Sequence, residues 1–245
     1  MPLHIETPLI ESRPMSAVAK RAINLKLDAL QPCGSFKLRG VGHACEVHHS
    51  RGAKRFISSS GGNAGLAVAY AGRVLGAAVT VVVPETTTDR ARELLIFGGA
   101  DVIVHGRSWQ EANELAHTLI APGDAFIHPF DDPLLWTGHA SMIDEIAKAA
   151  RKPGAVVLSV GGGGLLCGVI EGLQRNGWDD VPVIAVETEG AASFRAATLA
   201  DAPVEIDAIT SIATSLGARR VCNQSVAYLE THRIESAVVS DKDAL

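Results

Sequence analysis

Several short runs in this chain are apolar at nearly every position. Val79-Thr80-Val81-Val82-Val83 and Val156-Val157-Leu158-Ser159-Val160 present no continuous polar face. A strand with one solvated face alternates, whereas a strand buried on both faces does not. These runs therefore predict a parallel sheet covered on both sides by helices. Candidate strands at residues 23–28, 55–58, 79–83, 101–104, 125–127, 156–160, 183–187 and 237–239 alternate with helical patterns. The helical patterns fall at 36–49, 63–75, 89–97, 109–120, 133–150, 165–176 and 222–231. That order predicts an α/β fold. Punctuation supports it. Thr88 or Asp89 caps a helix that ends at Gly98-Gly99, and Ser108 opens a capping-box pattern with Glu111. Gly76, Gly123 and Gly177 stop other helices.

A chain of 245 residues with 47% hydrophobic content supports a real core, in one large or two small domains. A net charge of -5 gives no electrostatic reason to expect nucleic acid. No apolar run approaches the roughly 20 residues that span a bilayer, so no membrane is expected. Met1-Pro2-Leu3-His4-Ile5-Glu6 lacks the basic-then-apolar pattern of a secretory signal. None of the four cysteines forms a C-x-x-C pair, which disfavours zinc and points to a reduced, cytoplasmic protein. Cys33 reads as a small filler in a turn. The nine histidines show no triad and no H-E-x-x-H pattern, and His139 is assigned a structural role.

Three loops carry chemistry. The first is Gln31-Pro32-Cys33-Gly34-Ser35, a turn that places Lys37 in the first turn of a helix, with Ser35 as its cap. The helix dipole there disfavours an ammonium ion, and a neutral amine is what imine chemistry needs. The second is Ser60-Gly61-Gly62-Asn63-Ala64, between a strand and a helix. Free N–H groups at such a helix start suit a carboxylate, and Asn63 offers a donor and an acceptor for a phenolic oxygen. An ordinary turn with an Asn cap explains those residues equally well. The third is Gly161-Gly162-Gly163-Gly164, which follows an apolar strand and opens a helix. Its backbone amides can wrap a phosphate. The third glycine of G-x-G-x-x-G fails because residue 166 is Leu, and the P-loop fails because Leu165 follows Gly164. A phosphate without a nucleotide fits the spacing better.

Pro32 to Gly40 resembles the P-x-G-S-F-K-x-R-G motif of the fold-type II pyridoxal phosphate enzymes, most closely the L-serine/L-threonine dehydratases, at every fixed position. Ser60-Gly61-Gly62-Asn63 is similar to the family's substrate loop. Ser159-Val160-Gly161-Gly162-Gly163-Gly164-Leu165-Leu166-Cys167-Gly168 is similar to its phosphate loop, unlike the threonine-rich loop of cysteine synthase-like relatives. The resemblance covers essentially the whole chain. It implies a two-domain, tryptophan synthase β-like fold with the cofactor between domains. Residues 1–34 and 132–245 would form the large domain, and 35–131 a small inserted one.

By resemblance, Lys37 is the Schiff-base lysine and the catalytic base, and Phe36 packs on the cofactor ring. Ser60, Gly61, Gly62, Asn63 and Ala64 hold the substrate carboxylate, and Asn63 contacts the 3'-oxygen. Gly161, Gly162, Gly163 and Gly164 hold the phosphate, and Ser215 faces the ring. A monovalent cation, potassium, would be held by Gly161, Glu187, Ala191, Ser193, Leu216 and Ala218. The implied activity is elimination of water from L-serine and L-threonine, giving pyruvate or 2-oxobutanoate and ammonia, in a cytoplasmic homodimer. A serine/threonine racemase-like isomerase and a weakly active pyridoxal phosphate-binding homologue remain alternatives, and a nucleotide-binding regulatory domain is disfavoured by spacing. Many dehydratases carry Ala where this chain has Gly61, so a roomier, slower site is expected, which Gly61→Ala would speed. Asp243-Ala244-Leu245 reads as a helix start without a body. The relatives' partner for the ring nitrogen lies further on, which implies an open pocket, weak cofactor retention and low activity for these residues alone.

Overall fold

The computed structural model describes residues 1–245. Two compact units form, Met1–Pro129 with Asp144–Ala150, and Phe130–Ile143 with Arg151–Leu245.

In the first unit, β1 (Leu9–Glu11) pairs antiparallel with β2 (Asn24–Lys26) around the short helix α1 (Arg13–Ala19). Helix α2 (Lys37–Ser50) then leads into β3 (Arg55–Ser58), α3 (Asn63–Leu75), β4 (Ala78–Val83), α4 (Asp89–Phe97), β5 (Asp101–Val104), α5 (Trp109–Thr118) and β6 (Asp124–Phe126). The four strands β3 to β6 are parallel, in the order β5-β4-β3-β6. Val81, Val82 and Val83 are fully buried, as a strand with helices on both faces requires. Ile57, Val82, Ala112 and Ala116 form part of the core, with Ile103, Leu115, Leu119 and Phe126 packed against them. Thr88 accepts from the amide of Ala91, and Ser108 and Glu111 exchange both bonds of a capping box.

The second unit holds a parallel three-stranded sheet, β7 (Val156–Ser159), β8 (Val183–Thr188) and β9 (Ile234–Val239), in that order. Helices α7 (Gly164–Arg175), α8 (Ser193–Ala200) and α9 (Asn223–Thr231) follow or precede these strands. Helix α6 (Pro133–Ala149) contributes its first turns to this unit and its last residues to the other.

The α/β reading from the sequence holds, and strand 55–58 and helices 63–75 and 89–97 match residue for residue. Three elements were not anticipated. β1 is three residues long and α1 buries none of its residues, so neither carries a hydrophobic period. Helix α8 is eight residues long, and its start is fixed from a distance by Glu187.

Residues 1–34 cluster with 35–129. A buried ionic cluster ties them together. Arg39, 0% exposed, donates from Nε to Asp28 at 2.6 Å and from Nη1 to Glu145 at 2.6 Å. Its Nη2 reaches Asp28, Glu145 and the Thr7 hydroxyl, and Lys26 Nζ adds a bond to Glu145 at 2.5 Å. The N-terminal strands are thereby fastened to the helix that begins at Lys37.

Candidate active site

Lys37 is the first residue of α2, as expected from the sequence. The turn before it is built as the sequence suggested, with Gly34 at φ +79 and its amide donating to Gln31. Ser35 is not the cap. Phe36 occupies that position in helical conformation, and no side chain caps α2. The carbonyls of Ser35 and Phe36 accept from the amides of Leu38 and Arg39, so main-chain bonds do the work expected of the hydroxyl. The Ser35 hydroxyl is buried without a hydrogen-bond partner. The Lys37 amine donates to the Pro129 carbonyl at 2.5 Å and lies 5.3 Å from the centre of the Phe36 ring.

Strand order explains this meeting. β3 lies between β4 and β6, so the direction in which strands are added reverses at β3. In open α/β sheets the crevice beyond the strand ends at such a reversal is where ligands bind. The asparagine loop leaves the end of β3, and His128-Pro129 leaves the end of β6. Lys37 reaches that same place. His128 is a neighbour that the sequence did not signal. Burial first, then the Lys37 charge and then His117, push its imidazole down to about 4, so it stays neutral beside the amine.

In the asparagine loop, Gly62 precedes α3 and supplies no side-chain cap. The Gly62 amide donates to the Ser60 hydroxyl at 3.3 Å. Asn63, an exposed residue, opens the helix, and Ala64 is buried. Gly65 is obligatory, since a Cβ there would lie 1.9 Å from the Ser60 carbonyl oxygen.

Gly61 does not widen the site in the way expected. A Cβ at Gly61 would point at Thr87, 2.9 Å from its Cγ2 and 3.1 Å from its Oγ1, with Val83 at 3.3 Å. The Thr87 side chain already fills the volume that an alanine methyl would take. Gly61→Ala must therefore push Thr87 aside, an overpacking cost of about 1–3 kcal/mol. The expected result is a lower kcat/KM. The double variant Gly61→Ala with Thr87→Ser, which removes the clashing methyl, should regain most of it. Steady-state assay of the two proteins checks this, and a faster single variant would refute it.

In the second unit, the glycine turn links β7 to α7. Gly163, at φ +90, precedes the helix. Among the described residues, no carbonyl accepts from the main-chain amides of Gly161, Gly162, Gly163 or Gly164. Four donors at a helix start, without partners, make an anion cradle. The glycines are also demanded by packing. A Cβ at Gly162 would lie 2.3 Å from Phe130 Cγ, and one at Gly164 would lie 2.5 Å from the Phe130 carbonyl oxygen. The Trp136 indole donates to that carbonyl at 2.9 Å and holds Phe130 under the turn. Gly162→Val is thus expected to weaken cofactor binding by tilting the turn against Phe130, with a loss of about 1–3 kcal/mol of stability. Melting and cofactor titration read the two effects separately. Adding Phe130→Ala should recover part of the stability, and no change in either quantity would refute the argument.

Near the end of β8, both carboxylate oxygens of Glu187 accept main-chain amides, from Phe194 at 2.7 Å and Arg195 at 2.8 Å. Glu187 thereby caps α8. Ser193 at the start of that helix has a fully buried hydroxyl without a hydrogen-bond partner, and Ala191 is fully buried. Gly161 lies against Leu216, whose carbonyl oxygen would be 3.3 Å from a Cβ there. Ala218 donates its amide to Leu216, and Ser215 is exposed in the same loop.

Burial pushes Glu187 up to about 7, against the pull of the two amides. A carboxyl raised in the folded chain contributes stability that is full below its ordinary value of 4.5 and lost as pH rises through about 7. Glu187→Gln should cost some stability by losing one amide acceptor, yet flatten the decline across that window. Denaturation midpoints in potassium-free buffer check it, and an unchanged slope would count against it.

The whole chain, residues 1–245, matches one family model, described as pyridoxal-phosphate dependent enzyme. The chain belongs to the pyridoxal-phosphate dependent enzymes. Human L-serine dehydratase/L-threonine deaminase is 50% identical over 247 residues, covering 100% of this chain and 75% of that protein. Human serine dehydratase-like protein is 46% identical over 247 residues, with the same coverage of each. The crystal structure of an L-serine ammonia-lyase from the fungus Rhizomucor miehei aligns with a TM-score of 0.92 at 36% identity. It covers 98% of this chain and 78% of the fungal one.

The residues present fit pyridoxal 5'-phosphate. The unpaired amides at Gly161 to Gly164 suit its phosphate, and Lys37 offers an amine for its aldehyde. Cys33 is no rival nucleophile, because burial raises its thiol above the ordinary range. No helix is long and apolar enough to cross a membrane.

Proposed function

We propose that this pyridoxal-phosphate enzyme removes water from L-serine and L-threonine, giving pyruvate or 2-oxobutanoate and ammonia. The observation that carries the reading is the Lys37 amine at the sheet's reversal point, where β3 ends in the asparagine loop and β6 ends in His128-Pro129. The names of the human relatives and of the fungal lyase support it.

Pyridoxal 5'-phosphate, when bound, supplies the aldehyde that carries the amino acid and the ring that takes up the electron pair left at the α-carbon. The Lys37 amine takes the α-proton, and the Pro129 carbonyl is positioned to accept from the resulting ammonium. The neutral His128 beside it adds no opposing charge. The unpaired amides at the start of α3, with Ser60 and Asn63, orient the substrate carboxylate, and thereby the α C–H bond. Gly161 to Gly164 would hold the phosphate, and by resemblance Phe36 and Ser215 would contact the ring. By the same resemblance, Glu187, Ser193 and the Leu216 carbonyl, with Gly161, Ala191 and Ala218, would hold a potassium ion. The division into residues 1–34 with 132–245 and an inserted 35–131 belongs to the same reading. It is supported by a four-stranded sheet that lies wholly within 35–131. So do the homodimer and the cytoplasmic location that the resemblance implies.

The test incubates cofactor-loaded protein with L-serine and with L-threonine and follows keto acid, ammonia and D-serine together. Keto acid and ammonia in equal amounts are expected. Accumulating D-serine without pyruvate would assign an isomerase instead.

A further inference from the structure

We propose that Cys167 and Cys222 are a peroxide-sensitive pair whose disulfide loosens the glycine turn's hold on phosphate. The two sulfurs lie 3.6 Å apart and both residues are buried. Each is tied to the turn. Cys167 stands in the first turn of α7 and its amide donates to the Gly163 carbonyl at 3.0 Å. Cys222 caps α9, and its amide donates to the Gly162 carbonyl at 3.0 Å. A Cβ at Gly163 would lie 3.0 Å from Cys222 Sγ, so that sulfur also lines the turn.

A disulfide sets its sulfurs about 2.05 Å apart, so bond formation draws these two together by roughly 1.5 Å. The surroundings are close-packed and give little. The movement therefore passes into the main-chain bonds to Gly162 and Gly163, the residues whose amides form the anion cradle. The hydrogen bond from Cys167 lowers the Cys222 thiol, which favours Cys222 as the sulfur attacked first.

The co-reactant is hydrogen peroxide. The Cys222 thiolate attacks one peroxide oxygen, the O–O bond breaks, and the departing hydroxide takes up the thiol's proton to leave as water. Cys222 is then a sulfenic acid. The Cys167 sulfur attacks Cys222 Sγ, the S–O bond breaks, and the hydroxide leaves as a second water with the Cys167 proton. Two thiols are oxidised by two electrons, and one peroxide is reduced to two waters. A dithiol reverses the bond by exchange.

Bond formation rests on this geometry alone, while its effect on the cofactor rests on the phosphate assignment of the glycine turn. The experiment treats the full chain with hydrogen peroxide, blocks remaining thiols and maps peptides by mass. The Cys167 and Cys222 peptides should appear joined, lighter by two hydrogens, and separate again with dithiothreitol. The pyridoxal phosphate dissociation constant should rise at least about tenfold, the weight of one lost hydrogen bond to a charged group. Cys222→Ala should show neither response. Oxidation that leaves the two peptides unjoined would overturn the pair, and joined peptides with unchanged cofactor affinity would overturn its coupling to the turn. Failure of the reduced protein to bind cofactor at all would overturn the functional reading and the coupling, with the joined peptides still upholding the pair.

Discussion

Lys37→Ala should leave a folded protein that makes no measurable pyruvate from L-serine. Removal of a general base costs roughly 10²–10⁴ in rate. The loss here should exceed that, because the same amine also holds the cofactor by a covalent bond. Folding should survive the change. Lys37 is only partly buried, it begins α2 rather than lying inside it, and alanine is a better helix former. The donation to the Pro129 carbonyl disappears with the amine. Three readouts separate chemistry from fold. Far-ultraviolet circular dichroism should be unchanged, pyruvate formation should vanish, and borohydride treatment should no longer fix a pyridoxyl label to the protein. A label found on a different lysine of the wild-type chain would overturn the assignment.

Arg39→Met should cost about 3–5 kcal/mol of stability at neutral pH, the usual cost of removing one partner from a buried ionic cluster. Burial opposes ionisation of Asp28 and Glu145, yet the hydrogen bonds from Arg39 overcome it and hold both carboxyls below their ordinary values. The stability they carry is present above those ordinary values of 3.8 and 4.5 and is lost as pH falls through the depressed ones. Without Arg39, the buried carboxylates lose their main counter-charge, and protonation relieves them. The gap between variant and wild type should therefore be widest at neutral pH and narrow on acidification. Urea midpoints across that range measure it. A gap that widens in acid would show that Asp28 and Glu145 do not depend on Arg39. Because Arg39 lies two residues from Lys37 on α2, residual activity of the variant also reports how far the cluster holds the reactive amine in register.

The chemistry-bearing loops were legible because each is local. A proline-glycine turn before a lysine, a Gly-Gly-Asn loop after a strand, and four glycines between an apolar strand and a helix are signals that neighbouring residues impose on one another. The exposed helix α1 and the half-exposed start of β9 were missed, because a segment that buries little carries no hydrophobic period. Ser35 was misread as a cap because main-chain carbonyls three residues back can satisfy the same amides, a choice that residue type does not reveal.

The sequence by itself determined the parallel α/β character, the place of Lys37 at a helix start and the glycine turn. Apolar period and turn chemistry are properties of adjacent residues, and no distant contact was needed to read them. Only the tertiary structure decided which distant residues meet. It put β6 beside β3 and so brought Pro129 to Lys37, 92 positions away. It set Thr87 in the space beside Gly61, and Cys222 against Cys167, 55 positions away. Glu145 reached Arg39 across 106 positions. Strand order and side-chain packing settle such pairs. They follow from the simultaneous burial of many apolar surfaces, so no single stretch of sequence encodes them.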